Sequence, residues 1–136
     1  MTRALHIATI LAAVVGVSAT SAAAQEDCPA YDTRGWHAWI DKGGEGGSAR
    51  LLIHGQMDMP SPGFTASWKL GPLDRMAPPN LRLNVSFSPP DGMSAQVITA
   101  QDVMFVTPAM AADYGSIIIS CGTRDVTVIT DIARID

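Results

Sequence analysis

Leu81-Arg82-Leu83-Asn84-Val85-Ser86-Phe87-Ser88 alternates apolar and polar residues without exception. Successive side chains of a β-strand point to opposite faces, so this period of two predicts a strand with one buried and one solvated face. Residues 64–70 alternate in the same way. The pattern on both sides of this stretch has a period of two rather than the 3.6 of a helix, which favours an all-β domain.

Five further segments are predicted to be strands, and proline- and glycine-rich turns separate them. The polar pair Gln101-Asp102 interrupts the longest of these segments and predicts a bulge or a bend there. Trp36 and Trp39 would share a helix face, so one helical turn is the alternative for the first segment, and residues 107–113 have room for another. The five segments are residues 36–40, 51–57, 95–106, 114–121 and 125–132.

Short strands at this spacing predict an antiparallel β-sandwich of about seven strands, immunoglobulin-like in the broad sense. A small barrel is the alternative architecture. Residues 25–34 are polar, with one proline and one cysteine, and are predicted to be an irregular lead-in. The remainder, residues 35–136, is predicted to be one domain.

The first 24 residues have the three parts of a secretion signal. Arg3 is the only charged residue, an apolar stretch follows, and Ala22-Ala23-Ala24 fits signal peptidase. The apolar stretch is shorter than the roughly 20 residues that a transmembrane helix needs. We therefore expect a cleaved signal helix, no stable membrane anchor and export to a bacterial periplasm, with the extracellular space as the alternative.

The two cysteines of the chain, Cys28 and Cys121, both lie after the predicted cleavage site. Exported proteins meet an oxidising compartment, so the two cysteines are predicted to form one disulfide. Cys28 precedes the first predicted strand, whereas Cys121 ends the sixth. The bond is therefore expected to tie the lead-in to a central strand.

Charge excludes some classes of partner. The formal net charge of −4 becomes −5 once Arg3 is removed with the signal, and no run of lysine or arginine occurs. Binding to nucleic acid or to an anionic membrane requires a basic face, so neither is expected.

Residues that typically carry catalysis are scarce. After cleavage only His37 and His54 remain as histidines, and no G-x-S-x-G motif accompanies them. The acidic residues lie mostly in predicted turns, with Asp102 as the exception, and no C-x-x-C motif is present. We expect no enzymatic activity and no cofactor.

Copper binding is one alternative function. His54, Met57 and Met59 lie close together in sequence, and imidazole and thioether groups suit copper. On a regular strand, however, Met57 and Met59 share one face and His54 lies on the other. The three residues would need a bulge to converge, and methionine is also a common core residue.

We expect the domain to be a small non-enzymatic module that binds a protein or a small ligand. Trp39 is out of phase with Trp36 along the strand and is the better surface candidate. Pro60, Pro62 and Gly63, in a proline-rich turn, are further candidates for the interaction surface. Protease inhibition through rigid loops, residues 60–63 and 89–92, is a further alternative that rests on fold analogy alone.

Five segments of the mature chain together resemble small exported proteobacterial proteins of unknown function. The resemblance implies an exported, disulfide-tied β domain and supplies no catalytic residue. The segments are Cys28-Pro29-Ala30, Trp36-His37-Ala38-Trp39-Ile40, Pro60-Ser61-Pro62-Gly63-Phe64, Pro78-Pro79-Asn80-Leu81-Arg82-Leu83 and Tyr114-Gly115-Ser116-Ile117-Ile118-Ile119-Ser120-Cys121-Gly122.

Overall fold

The computed structural model describes residues 27–136, so the predicted signal peptide, residues 1–24, lies outside the described residues. The described part of the chain forms strands and turns without a helix. In chain order the strands are β1 (Asp32–Asp41), β2 (Arg50–Met59), β3 (Thr65–Leu73), β4 (Asn80–Ser88), β5 (Thr99–Pro108), β6 (Ser116–Cys121), β7 (Arg124–Ile129) and β8 (Ile132–Ile135).

The strands form two four-stranded sheets. Sheet I has the order β5-β2-β1-β8, and sheet II has the order β3-β4-β6-β7. Most neighbouring strands are antiparallel, but β1 runs parallel to β8 and β4 runs parallel to β6. Both sheets supply residues to one buried apolar cluster, so they stack as a sandwich with the core between them.

Strict alternation of buried and solvated residues builds this core. Along β4 the side chains of Leu81, Leu83, Val85 and Phe87 are buried, while the polar residues between them are exposed or half-buried. Strand β2 follows the same rule, with every second residue from Leu51 to Met59 buried. The period-2 pattern in the sequence therefore specifies which face of each strand enters the core.

The predicted β-sandwich is confirmed, and the small barrel is not observed because neither sheet closes on itself. The described chain has eight strands where about seven were predicted. The difference lies in residues 125–132, which were predicted to be one strand. Here the chain leaves sheet II after Ile129 and joins sheet I at Ile132, so one predicted strand becomes β7 and β8.

The predicted interruption at Gln101-Asp102 is wrong. Strand β5 pairs with β2 through ten consecutive positions, including Met57 with Gln101 and Gln56 with Asp102. The inward Gln101 side chain stays in register because it donates a hydrogen bond to the Phe64 carbonyl, at 2.8 Å. Residues 95–98, predicted to begin this strand, precede it as exposed chain.

The expected disulfide is present. Cys28 is bonded to Cys121, with the two Cα atoms 5.1 Å apart. Cys121 is buried at the end of β6, and β6 lies inside sheet II, between β4 and β7. Arg124 strengthens the same junction by donating a hydrogen bond to the Ala30 carbonyl, at 2.8 Å. The lead-in before β1 is therefore held against sheet II, although β1 itself belongs to sheet I.

Gly55 allows Trp36 to pack against the inner face of sheet I. A Cβ added at Gly55 would lie 2.3 Å from two atoms of the Trp36 ring. We expect Gly55→Ala to lower the free energy of unfolding by about 1–3 kcal/mol, because a well-packed core resists additional methyl groups. Urea unfolding measures this change.

A double-mutant cycle tests whether Trp36 is the cause. If the clash with the ring dominates, Gly55→Ala should cost much less in a Trp36→Ala background, since contacting residues give non-additive effects. An equal cost in both backgrounds would show that the penalty arises elsewhere.

Candidate functional site

The outer face of sheet I is the most distinctive surface of the described chain. Along β1, Ala38 and Ile40 point into the core, so His37 and Trp39 point outward. The same alternation turns outward the even-numbered residues of β2 from Leu52 to Asp58 and those of β5 from Asp102 to Val106. The register then decides which of these outward residues are neighbours.

An apolar row crosses all four strands of this face. Leu52 on β2 lies opposite Val106 on β5 and opposite Trp39 on β1, and Trp39 lies opposite Ala133 on β8. Val106 is 47 % exposed, and Ile135 and Met104 add exposed apolar groups beside the row. We refer to Val106, Leu52, Trp39 and Ala133 as the apolar row.

A second row, next to the first, carries two imidazoles and a thioether. His37 on β1 lies opposite His54 on β2, and His54 lies opposite Met104 on β5. The His54 Nε2 atom is 3.5 Å from the Asp102 Oδ1 atom, and Gln56 Nε2 donates to the same carboxylate oxygen at 3.4 Å. We refer to His37, His54 and Met104 as the histidine row.

Two ion pairs border these rows at opposite ends of the face. Arg34 makes a bidentate contact with Asp58, at 2.7 and 2.9 Å, and Arg50 lies 2.8 Å from Asp41. The hydrogen bond from Arg34 lowers the pKa of Asp58. The pKa of Asp41 is lowered first by the backbone N–H of Gly43 and then by Arg50. Both carboxylates therefore stay ionised and paired at neutral pH.

A groove of about 360 Å³ lies between β1 and β8 on this side of the molecule. Its walls are mostly apolar, and it adjoins both the apolar row and the histidine row. The groove is lined by His37, Ala38, Trp39, Asp131, Ala133 and Ile135.

A larger cleft, of about 420 Å³, lies at sheet II beside the disulfide. Lys69, Asn84 and Ser86 are its polar residues on strands β3 and β4. The Asn84 amide already donates to Ser120 Oγ at 3.0 Å and to the Gly122 carbonyl at 3.1 Å, so it ties β4 to β6. Asn84 in this cleft thus has a structural role within sheet II.

Strand β5 forms one edge of sheet I and differs from the other three edge strands in the described chain. Natural edge strands avoid pairing with other chains by being short, bulged, charged or interrupted by proline. Strand β8 has four residues, β3 has a register shift with Pro72 inside it, and β7 has a register shift together with Arg124 and Asp125. Strand β5 has ten residues in unbroken register, one charged residue, Asp102, and its only proline at the last position.

The predicted site residues do not form one site. Trp39 is half-buried on the outer face of sheet I. The turn with Pro60, Pro62 and Gly63 follows the far end of β2, seven residues along the strand from Leu52, or roughly 23 Å. Ser61 in this turn is only 5 % exposed.

The predicted copper ligands are also separated. Met57 and Met59 are fully buried in the core, whereas His54 points to the outer face. Strand β2 keeps unbroken register with β5. The register shift in its pairing with β1 lies on β1, between Arg34 and His37, so it does not turn these β2 side chains toward one another. His37 and Met104 lie opposite His54 on the neighbouring strands, and the sequence did not group either of them with His54. Alternation placed them on strand faces, but only the register shows which strands are neighbours.

Comparison with protein-family models, with curated proteins and with solved structures found no match. The described residues contain no helix that is long and apolar enough to cross a membrane. Within residues 27–136, no group of three or more His, Cys, Asp or Glu side chains could hold a metal ion. The fold and this surface define the protein as a disulfide-bonded β-sandwich with an apolar row on the outer face of one sheet.

Proposed function

We propose that this protein is an exported, non-enzymatic interaction module that binds an extended segment of another protein along the edge of β5. The observation that carries this proposal is the unprotected edge: ten residues in unbroken register, next to exposed apolar side chains. A partner strand added there would satisfy the free backbone groups of β5, and its side chains would extend the apolar row. Export to the periplasm is supported by the Cys28–Cys121 bond, which is typical of an oxidising compartment.

Exposed apolar groups are concentrated where this partner would bind. Val97, Ile98, Met104, Val106 and Met110 all lie on β5 or within a few residues of its ends. Single exposed apolar residues are common on protein surfaces, but several of them along one pairing edge are typical of an interaction site. Association through strand addition takes its affinity from main-chain hydrogen bonds and its specificity from alternate side chains.

We expect Val106→Lys to abolish capture of the partner from periplasmic extract. The new ammonium group would lie in the apolar row, where the partner's apolar side chains would have to desolvate it. The matched control is Val128→Lys, because Val128 is 56 % exposed on β7 and lies in sheet II. Quantitative mass spectrometry of the captured proteins, with the two variants compared side by side, measures the effect.

Hydrogen exchange distinguishes strand addition from other modes of binding. In the complex, amide exchange should slow along residues 99–108 and stay unchanged along β3. The proposal is wrong if the captured partner binds Val106→Lys as well as the wild type does. It is equally wrong if the partner protects another edge strand instead of β5.

A further inference from the structure

The histidine row places three soft or borderline metal donors on neighbouring strands. His54 is in the middle, on β2, with His37 directly opposite it on β1 and Met104 directly opposite it on β5. Residues opposite each other in antiparallel strands have Cβ atoms about 4.5–5.5 Å apart. Each outer side chain therefore has only one strand spacing to cross to reach the middle of the row.

All three side chains face solvent on one side of the sheet. His37 is exposed and lines the groove beside β8, the His54 side chain is 35 % exposed, and Met104 is 55 % exposed. Imidazole and the long thioether chain both extend well beyond Cβ, and the methionine side chain is unusually adaptable. A metal ion arriving from solvent would thus meet the three donors without passing through the core.

Asp102 lies beside the histidine row. Its Oδ1 atom is 3.5 Å from His54 Nε2 and accepts a hydrogen bond from Gln56 Nε2, at 3.4 Å. A carboxylate close to the imidazole is a common feature of metal-binding histidines. The negative charge of Asp102 also favours a cation at this part of the face.

We propose that His37, His54 and Met104 form a surface site for a soft monovalent metal ion, and that this ion is Cu(I). Two imidazoles suit several transition metals, but a thioether selects soft ions such as Cu(I). This set differs from the His54, Met57 and Met59 set predicted from sequence, because Met57 and Met59 are in the core. The site does not depend on partner binding at β5.

The first test is titration of the exported protein with Ag(I), a redox-inert substitute for Cu(I), followed by NMR of ¹³C-methyl-labelled methionine. The Met104 methyl signal should shift and saturate at one equivalent of Ag(I). The signals of buried Met57 and of Met93, which is fully exposed, serve as internal controls and should not move. An unmoved Met104 signal, or a Met93 signal that moves equally, would overturn the proposal.

The second test is competition for Cu(I) with a chromogenic chelator. His37→Gln, His54→Gln and Met104→Leu should each weaken Cu(I) binding by at least about tenfold, since even the partners of metal ligands are worth 10- to 100-fold. Met93→Leu should bind as the wild type does. Zn(II) affinity should be unchanged in Met104→Leu, because a thioether does not suit Zn(II). Unchanged Cu(I) affinity in Met104→Leu would refute the three-ligand site.

Two variants allow metal binding at this site and partner binding at β5 to be tested separately. His37→Gln removes one ligand on β1, two strands away from the β5 edge, whereas Val106→Lys keeps all three ligands while disrupting the apolar row. Loss of Cu(I) binding with intact partner capture, or the reverse, is therefore observable.

Discussion

Replacing Cys28 and Cys121 together with alanine is expected to lower the free energy of unfolding by about 2–5 kcal/mol. The bond closes a loop with a sequence separation of 93 residues, so nearly the whole domain lies within it. In the chain-entropy model, closing a loop of about 100 residues lowers the entropy of the unfolded chain and so raises the free energy of unfolding by about 4.7 kcal/mol at 25 °C. Total stabilities of single domains are only about 5–15 kcal/mol, so the effect is large.

The disulfide also stabilises this particular fold because it connects the two sheets. The lead-in with Cys28 precedes β1 of sheet I, whereas Cys121 ends β6 in sheet II. The disulfide thus links the start of one sheet to the interior of the other. Without it, the lead-in keeps the hydrogen bond from Arg124 of β7 to the Ala30 carbonyl and the burial of Ala30 in the core.

Urea unfolding of the wild type and of the double alanine variant measures the loss. The denaturant slope should rise in the variant, because an uncrosslinked unfolded chain exposes more surface. The wild type treated with a thiol reductant should lose the same amount, which separates the effect of the bond from that of the alanine side chains. Equal midpoints for the oxidised and reduced protein would contradict the prediction.

The fold was largely predictable because its determinants are local. Alternation in residues 81–88 specified both β4 and its buried face, and the same rule held for β2. The division of residues 125–132 between β7 and β8 was not predictable from local alternation. Nothing local to Thr130 and Asp131 shows that the chain crosses between sheets there, since the parallel pairing of β8 with β1 involves residues almost a hundred positions apart.

The candidate site was predictable only in part, for a related reason. Antiphase with Trp36 puts Trp39 on the outer face of sheet I, where its side chain is half-buried. His54 was singled out, but its neighbours in sequence, Met57 and Met59, are on the opposite face of the same strand. Its true neighbours come from β1 and β5, and cross-strand register is a tertiary property that a single sequence does not display.

Met57→Ala is expected to lower the free energy of unfolding by about 2–5 kcal/mol, whereas Met104→Ala should change it by no more than about 0.5 kcal/mol. Met57 is fully buried, so truncation leaves a cavity in a close-packed core. Met104 is 55 % exposed on the outer face, so its truncation leaves no cavity. Urea unfolding of the two variants gives both values.

Met57→Leu provides the matched control, because a volume-conserving apolar change in a core costs less than about 1.5 kcal/mol. A small loss in Met57→Leu with a large loss in Met57→Ala would identify packing as the role of this residue. Comparable losses in Met57→Ala and Met104→Ala would contradict the assignment of the two methionines to opposite environments. The contrast also bears on metal binding: a methionine whose loss unfolds the core cannot be tested as a ligand by truncation, whereas Met104 can.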